Sequence, residues 1–105
     1  MIAVNKETFQ AEVKDTGGLV LVDFWSESCE SCKALMPDVE ALAEKYATQV
    51  KFAKLDVAKA RRLAIGEKVL GLPTIVLYKD GEKIDEVNKD DATAGNIEAM
   101  IQKNL

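Results

Sequence analysis

The 105-residue sequence contains no histidine, and this absence removes more chemistry than any other feature of the composition. Without imidazole there is no Ser-His or Cys-His nucleophilic machinery, no histidine metal cage, and no side chain whose ordinary pKa lies near neutrality. Any catalysis must run on Cys, Asp, Glu or Lys. Cysteine is nearly as scarce, with only Cys29 and Cys32, too few for a disulfide-stapled scaffold. Positive charge is in deficit, 14 Lys and Arg against 18 Asp and Glu for a net charge of −4. That balance lacks the basic footprint that phosphate neutralisation requires, so no nucleic-acid partner is expected. Long apolar runs are also missing. The longest, Leu19 to Trp25, is interrupted by Asp23 and falls far short of the roughly 20 residues that span a bilayer. Met1–Glu7 has neither the basic stretch nor the apolar stretch of a secretory signal. These absences predict a cytoplasmic protein without membrane attachment. In such a reducing compartment, two close cysteines are more often catalytic or metal-binding than structural.

What is present is an ordinary globular mixture, 48% apolar and 30% charged, sufficient for one core. No repeat, linker or low-complexity tract divides the chain, which predicts a single domain over residues 1–105, expected as a monomer. Local patterns predict strands near Met1–Val4, Leu19–Phe24, Val50–Asp56, Thr74–Tyr78 and Lys83–Val87. Helices are predicted from about Lys6 to Asp15 with Asn5 as its cap, Cys29 to Tyr46, Ala58 to Ile65 closed by Gly66, and Ala92 to Lys103. Lys79-Asp80-Gly81-Glu82 is an Asp-Gly hairpin signal. Strands alternating with helices and ending in a hairpin predict an α/β fold with a partly parallel sheet covered on both faces.

Cys29 and Cys32 lie where the apolar strand gives way to the long helix, at i and i+3 on one helical face, within reach of a reversible disulfide. Cys29 falls in the first turn, where free backbone N–H groups and the positive end of the helix dipole favour a thiolate. Cys32 begins the apolar stripe that continues through Met36, Val39, Ala43 and Tyr46, widened by Leu35 and Leu42, and is expected to be buried. An accessible thiol beside a buried one is what dithiol exchange requires: the first attacks, the second resolves. Zinc is disfavoured because a closed site needs four ligands and the chain offers two thiols and no imidazole, so no metal is expected. A purely structural bridge across so short a loop constrains the unfolded chain little. Asp23 shares a period-2 face with Leu19, Leu21 and Trp25. If both sheet faces are covered, burial raises its pKa and makes it a proton acceptor; otherwise it is a solvated strand-end carboxylate. Pro37 sits inside the long helix, where it removes a hydrogen bond and crowds the Lys33 carbonyl, predicting a kink. Arg61-Arg62 and the charged stretch Asp80–Asp91 are most simply solvated faces.

Val22-Asp23-Phe24-Trp25, the Cys-x-x-Cys-Lys run at Cys29–Lys33, Pro37, Lys54-Leu55-Asp56, Gly71-Leu72-Pro73-Thr74 and Lys79-Asp80-Gly81-Glu82 resemble, in order and spacing, the thioredoxin family over essentially the whole chain. The resemblance implies the thioredoxin fold, a central mixed five-stranded sheet flanked by four helices. It implies protein-disulfide reduction with Cys29 as nucleophile and Cys32 as resolving thiol, and no cofactor beyond that redox-active pair. It further implies a buried Asp23 accompanied by Lys54, and a cis Leu72–Pro73 bond facing the cysteines. The groove it suggests is flanked by Trp25 and bounded by Leu72, Pro73 and Thr74, with the Leu72 backbone receiving an extended client segment. Partners implied are disulfide-containing client proteins and a flavoenzyme thioredoxin reductase.

The chain departs from the usual Trp-Cys-Gly-Pro-Cys in reading Ser28-Cys29-Glu30-Ser31-Cys32. Ser28 removes aromatic surface and offers an N-cap hydroxyl; Glu30, with Glu27 nearby, opposes a Cys29 thiolate and predicts a reducing potential; Ser31 frees the backbone where proline is usual. Lys33 closes the motif. A glycine common in the family's groove is absent from Val87-Asn88-Lys89, which bears on which clients and reductase are recognised. The competing functions are a thioredoxin-fold scaffold whose disulfide is incidental, and an oxidase or isomerase; the absence of histidine between the cysteines disfavours the latter.

Overall fold

The computed structural model describes residues 1–105. Five strands, β1 (Ile2–Val4), β2 (Leu19–Trp25), β3 (Val50–Asp56), β4 (Thr74–Lys79) and β5 (Glu82–Asn88), form one sheet in the order β1-β3-β2-β4-β5. The first three in that order run parallel, and β4 and β5 are antiparallel to their neighbours. Helices α1 (Glu30–Lys45), α2 (Arg61–Gly66) and α3 (Ala94–Lys103) and a π-helix at Gln10–Lys14 flank it. This is the α/β arrangement expected from the sequence.

The period-2 alternation of β2 explains why both faces are covered. Val20, Val22 and Phe24 project into one core with Phe9 and Val13 of the N-terminal segment, Ala60 and Ala64 around α2, and Tyr78 of β4. Leu21 faces the other, with Leu35, Val39 and Leu42 of α1 and Ile97, Met100 and Ile101 of α3. Each fully buried Val, Leu or Ile contributes roughly 1.5–3 kcal/mol. β2, central in the order and lined on both sides, is therefore a rigid base for whatever its C-terminal end carries.

Three predicted elements differ in detail. Asn5 does cap the first helical segment, its Oδ1 accepting from Glu7 N–H at 2.9 Å and Thr8 N–H at 3.0 Å. The segment then winds wider than the α-helix predicted there, with Asp15 N–H donating to the Gln10 carbonyl at 2.8 Å. Phe9 and Val13 are both buried, and the Phe9 ring packs 6.2 Å from Phe24 and 6.1 Å from Tyr78. Ala60, at φ −152°, splits the predicted Ala58–Ile65 helix into a 3-10 turn (Val57–Lys59) and α2. Gly66 lies inside α2, and it is Lys68 that takes the left-handed conformation after it, at φ +63°. The last helix starts at Ala94 because Thr93 caps it, accepting from Asn96 N–H at 3.2 Å; Lys89–Asp91 forms a separate 3-10 turn. α1 continues through Pro37.

The hairpin follows its sequence signal. Asp80 and Gly81 both have positive φ, 52° and 85°, the geometry of a tight primed turn. A Cβ on Gly81 would run into the Lys14 carbonyl, and Asp80 Oδ1 accepts from Gly18 N–H at 2.8 Å. The turn is thereby fastened to the segment leading into β2.

Candidate active site

β2 ends at Trp25, and Ser26–Ser28 carries the chain into α1. The Cys29 N–H donates to the Ser26 carbonyl at 3.1 Å, and the Cys29 carbonyl accepts from Lys33 N–H at 3.1 Å. Cys29 is thus the cap of α1 (φ −95°, ψ 99°), and its Sγ accepts from Cys32 N–H at 3.2 Å. Sulfur occupies the place of a capping oxygen. Ser28, expected to supply the cap, stands one residue too early; its hydroxyl instead meets Ser26 Oγ at 3.2 Å. The cap position sharpens the electrostatics, because a sulfur held against free N–H groups at a helix start is favoured as an anion once reduced.

Cys29 and Cys32 are joined as a disulfide with Cα atoms 5.2 Å apart. Cys29 is partly exposed, whereas Cys32 is 1% exposed on the stripe of α1 that packs on the sheet. Ser31 Oγ lies 3.5 Å from Cys29 Sγ. Glu30 is exposed, with Lys33 Nζ 3.8 Å away as a loose counter-charge.

Asp23 lies on the β2 face that points toward α1. It is 1% exposed, and neither carboxylate oxygen has a hydrogen-bonding partner within the chain. Burial raises its pKa from 3.8 to about 7, against the opposing pull of Lys54. Lys54 is the direct neighbour of Asp23 in the parallel β2–β3 register and is half-buried. Its ammonium also lies 6.0 Å from the centre of the Trp25 ring. A carboxyl of this kind can hold or release a proton near neutrality, the capacity otherwise missing from a chain without histidine.

On the other side of β2, Thr74 opens β4 opposite Phe24, and the preceding Leu72–Pro73 bond is cis. Thr74 Oγ1 donates to the Gly71 carbonyl at 2.6 Å, and the Pro73 carbonyl accepts from Lys89 N–H at 2.7 Å. The Leu72 N–H and C=O make no hydrogen bond within the chain. Leu72 lines a depression with Ser26 and Ser28. Trp25 does not: it lines a separate one with Glu27, Lys54, Asp56 and Lys59.

A sequence model of the family described as Thioredoxin matches residues 1–103. The chain belongs to the thioredoxin family. It is 63% identical over 103 residues to a thioredoxin of Acetoanaerobium sticklandii, with 98% of each chain covered. It is 57% identical over 105 residues to a thioredoxin of Peptoclostridium acidaminophilum, spanning all of this chain and 96% of the relative. A protein named thioredoxin C-2 from Corynebacterium nephridii is 34% identical over 105 residues, again with 96% of its length covered. As a thioredoxin, this chain is a protein-disulfide oxidoreductase acting through its own dithiol/disulfide pair, without a separate cofactor. No helix is long and apolar enough to cross a membrane.

Two residues here take roles not assigned to them from the sequence. Ser26 is 6% exposed and anchors the Cys29 N–H; only its place between strand and helix could have marked it. Gly71 accepts the Thr74 hydroxyl and lines the depression beside Leu72.

Proposed function

We propose that residues 1–105 act as one monomeric domain in the cytoplasm, reducing disulfides in client proteins and drawing electrons from a flavoenzyme thioredoxin reductase. The Cys29 thiolate attacks one sulfur of the client disulfide, forming a mixed disulfide and releasing the first client thiolate. Cys32, its proton passed to Asp23, attacks the Cys29 sulfur, expels the second client thiolate and closes the Cys29–Cys32 bond. The two client thiolates take up protons, and two electrons have moved to the client. Lys54 holds Asp23 within a useful pKa range. Leu72 forms the client's seat, its free backbone adding to an extended segment, while Pro73 and Thr74, expected beside it, are buried and support it from beneath. Trp25 flanks the Asp23–Lys54 side rather than that seat. Ser28, Glu30, Ser31 and Lys33 adjust the nucleophile's field.

The observation carrying this reading is the asymmetry of the pair: one sulfur partly exposed at a helix cap, its partner 1% exposed. The reducing direction is supported by Glu30 and Glu27, both exposed near Cys29, which oppose the thiolate. A Cys32→Ser variant mixed with a disulfide client is expected to accumulate a mixed disulfide at Cys29, and Cys29→Ser none. Equal trapping by both variants would overturn the assignment. Equilibration with glutathione checks the direction: the pair should stay oxidised in mixtures that reduce a more oxidising dithiol.

A further inference from the structure

The most exposed large apolar side chains are Leu70, at 83%, and Ile65, at 64%. Both line the same depression as Leu72, a groove of about 330 Å³ also lined by Ser26 and by Ser28, the residue before Cys29. Arg61 stands on its wall. Arg61 and Ala58 also belong to an adjoining depression of about 460 Å³ lined by Lys6, Lys59 and Arg62 as well. Neither depression is lined by a carboxylate. In a chain of net charge −4 this is a local reversal of sign.

A further cation lies against Gly71, one of the residues lining that groove. Lys89 has φ +51°, a conformation that costs a non-glycine residue roughly 1–2 kcal/mol, so a glycine would be the unstrained choice. Its backbone is fixed by the bond from its N–H to the Pro73 carbonyl, and its side chain fills the space left by the missing side chain of Gly71. A Cβ built there would lie 2.5 Å from Lys89 Cε and 3.5 Å from Nζ. Neither Arg61 nor Lys89, nor any cation of the adjoining depression, takes part in the chain's six ion pairs. A largely apolar groove that reaches the residue before Cys29 therefore carries the unpaired Arg61 on its wall, with the unpaired Lys89 laid against its Gly71.

We propose that this groove selects clients in which carboxylates and an aliphatic side chain flank the reactive disulfide. Ile65, Leu70 and Leu72 take the aliphatic group, and Arg61 and Lys89 face the carboxylates. The proposal rests on Leu72 being the client's seat and names the client chemistry that seat favours. Because these cations are exposed, each acts through a screened field and shifts rate by a small factor, and the effect fades with salt.

The test uses the reduced full chain and a set of disulfide peptides of one sequence, with Glu, Gln or Lys placed in turn at each position flanking the cysteine. Within each protein variant the readout is the Glu-to-Lys ratio of second-order rate constants, so a general loss of activity cancels. At low ionic strength the wild-type ratio should reach roughly two- to five-fold at one or more positions, shrinking at high salt. The double variant Arg61→Glu/Lys89→Glu should invert it. With a leucine also placed near the peptide's cysteine, exchanging that leucine for serine should slow the wild type, and Leu70→Ser should remove that difference. A ratio identical in wild type and double variant overturns the proposal, as does a groove occupied by a second copy of the chain, seen as a dimer that Leu70→Ser dissociates. If the Gln peptide is trapped on Cys32→Ser while the ratios stay flat, only this proposal falls. If no mixed disulfide is trapped at Cys29, the underlying reading falls with it.

Discussion

Replacing Asp23 with Asn should remove one pH-dependent part of the protein's stability. In the unfolded chain Asp23 titrates at its ordinary 3.8, and in the folded protein at about 7. Between those values the native state retains a proton that the unfolded state has lost, so stability falls as pH rises, by about 1.4 kcal/mol per unit. Across a window of about three units the change is on the order of 4 kcal/mol. It is fully present below pH 3.8 and gone once pH passes about 7. Asn cannot titrate, and although its buried amide is no better partnered, that offset is the same at every pH. Urea unfolding of the disulfide-bonded forms, at pH values from about 4 to 8, should show Asp23→Asn gaining on wild type by up to that 4 kcal/mol. Other titrating groups cancel in the difference. Lys54→Met should extend the sloping window to higher pH, since it removes the charge that holds the Asp23 pKa down. A stability difference independent of pH over this range would refute the buried, partnerless carboxyl.

Asp23→Asn should also slow the resolution of the mixed disulfide more than its formation, because the proton acceptor assigned to Cys32 is lost; stopped-flow with a chromophoric disulfide separates the two phases. Glu30→Gln should speed alkylation of Cys29 in the reduced protein at neutral pH by about two-fold at low salt, the small size following from Glu30's exposure. An unchanged rate would remove the charge argument for a reducing potential. Gly81→Ala should destabilise by about 2–4 kcal/mol, since a positive φ and a collision with the Lys14 carbonyl combine. Gly18→Ala, with φ +80° but open space around it, should cost about 1 kcal/mol. Equal losses in thermal or urea unfolding would contradict the contact.

The features legible in sequence are those set by short-range periodicity. Alternation along Leu19–Trp25 put Asp23 and Val22 on opposite faces, and the three-residue spacing put Cys32 on the apolar stripe. Both placements survive because a sheet covered on two sides and a helix packed on one leave each residue little choice of direction. Sequence periodicity is silent where two backbone windings serve the same contacts. Val13 reaches the core from a π-helix, and Phe9 from the position just before it, as well as both would from the α-helix predicted for them, and tertiary packing decides. Ser28 shows a finer limit: Ser is a good cap, but the helix starts where Cys29 can turn its own sulfur onto the Cys32 N–H. The cis Leu72–Pro73 bond followed from the family resemblance and from nothing in its own neighbours. Lys89 marks the boundary between these cases. The absence of glycine from Val87-Asn88-Lys89 was visible, yet only the fold reveals that Lys89 keeps the conformation glycine would prefer and lays its stem over Gly71. A departure from a family pattern became chemically informative once the residue filling the gap could be seen to place a charge beside the reactive sulfur's groove. The geometry of the cysteine pair supports the exchange reaction, and the side chains replacing the usual residues are where client preference is to be sought.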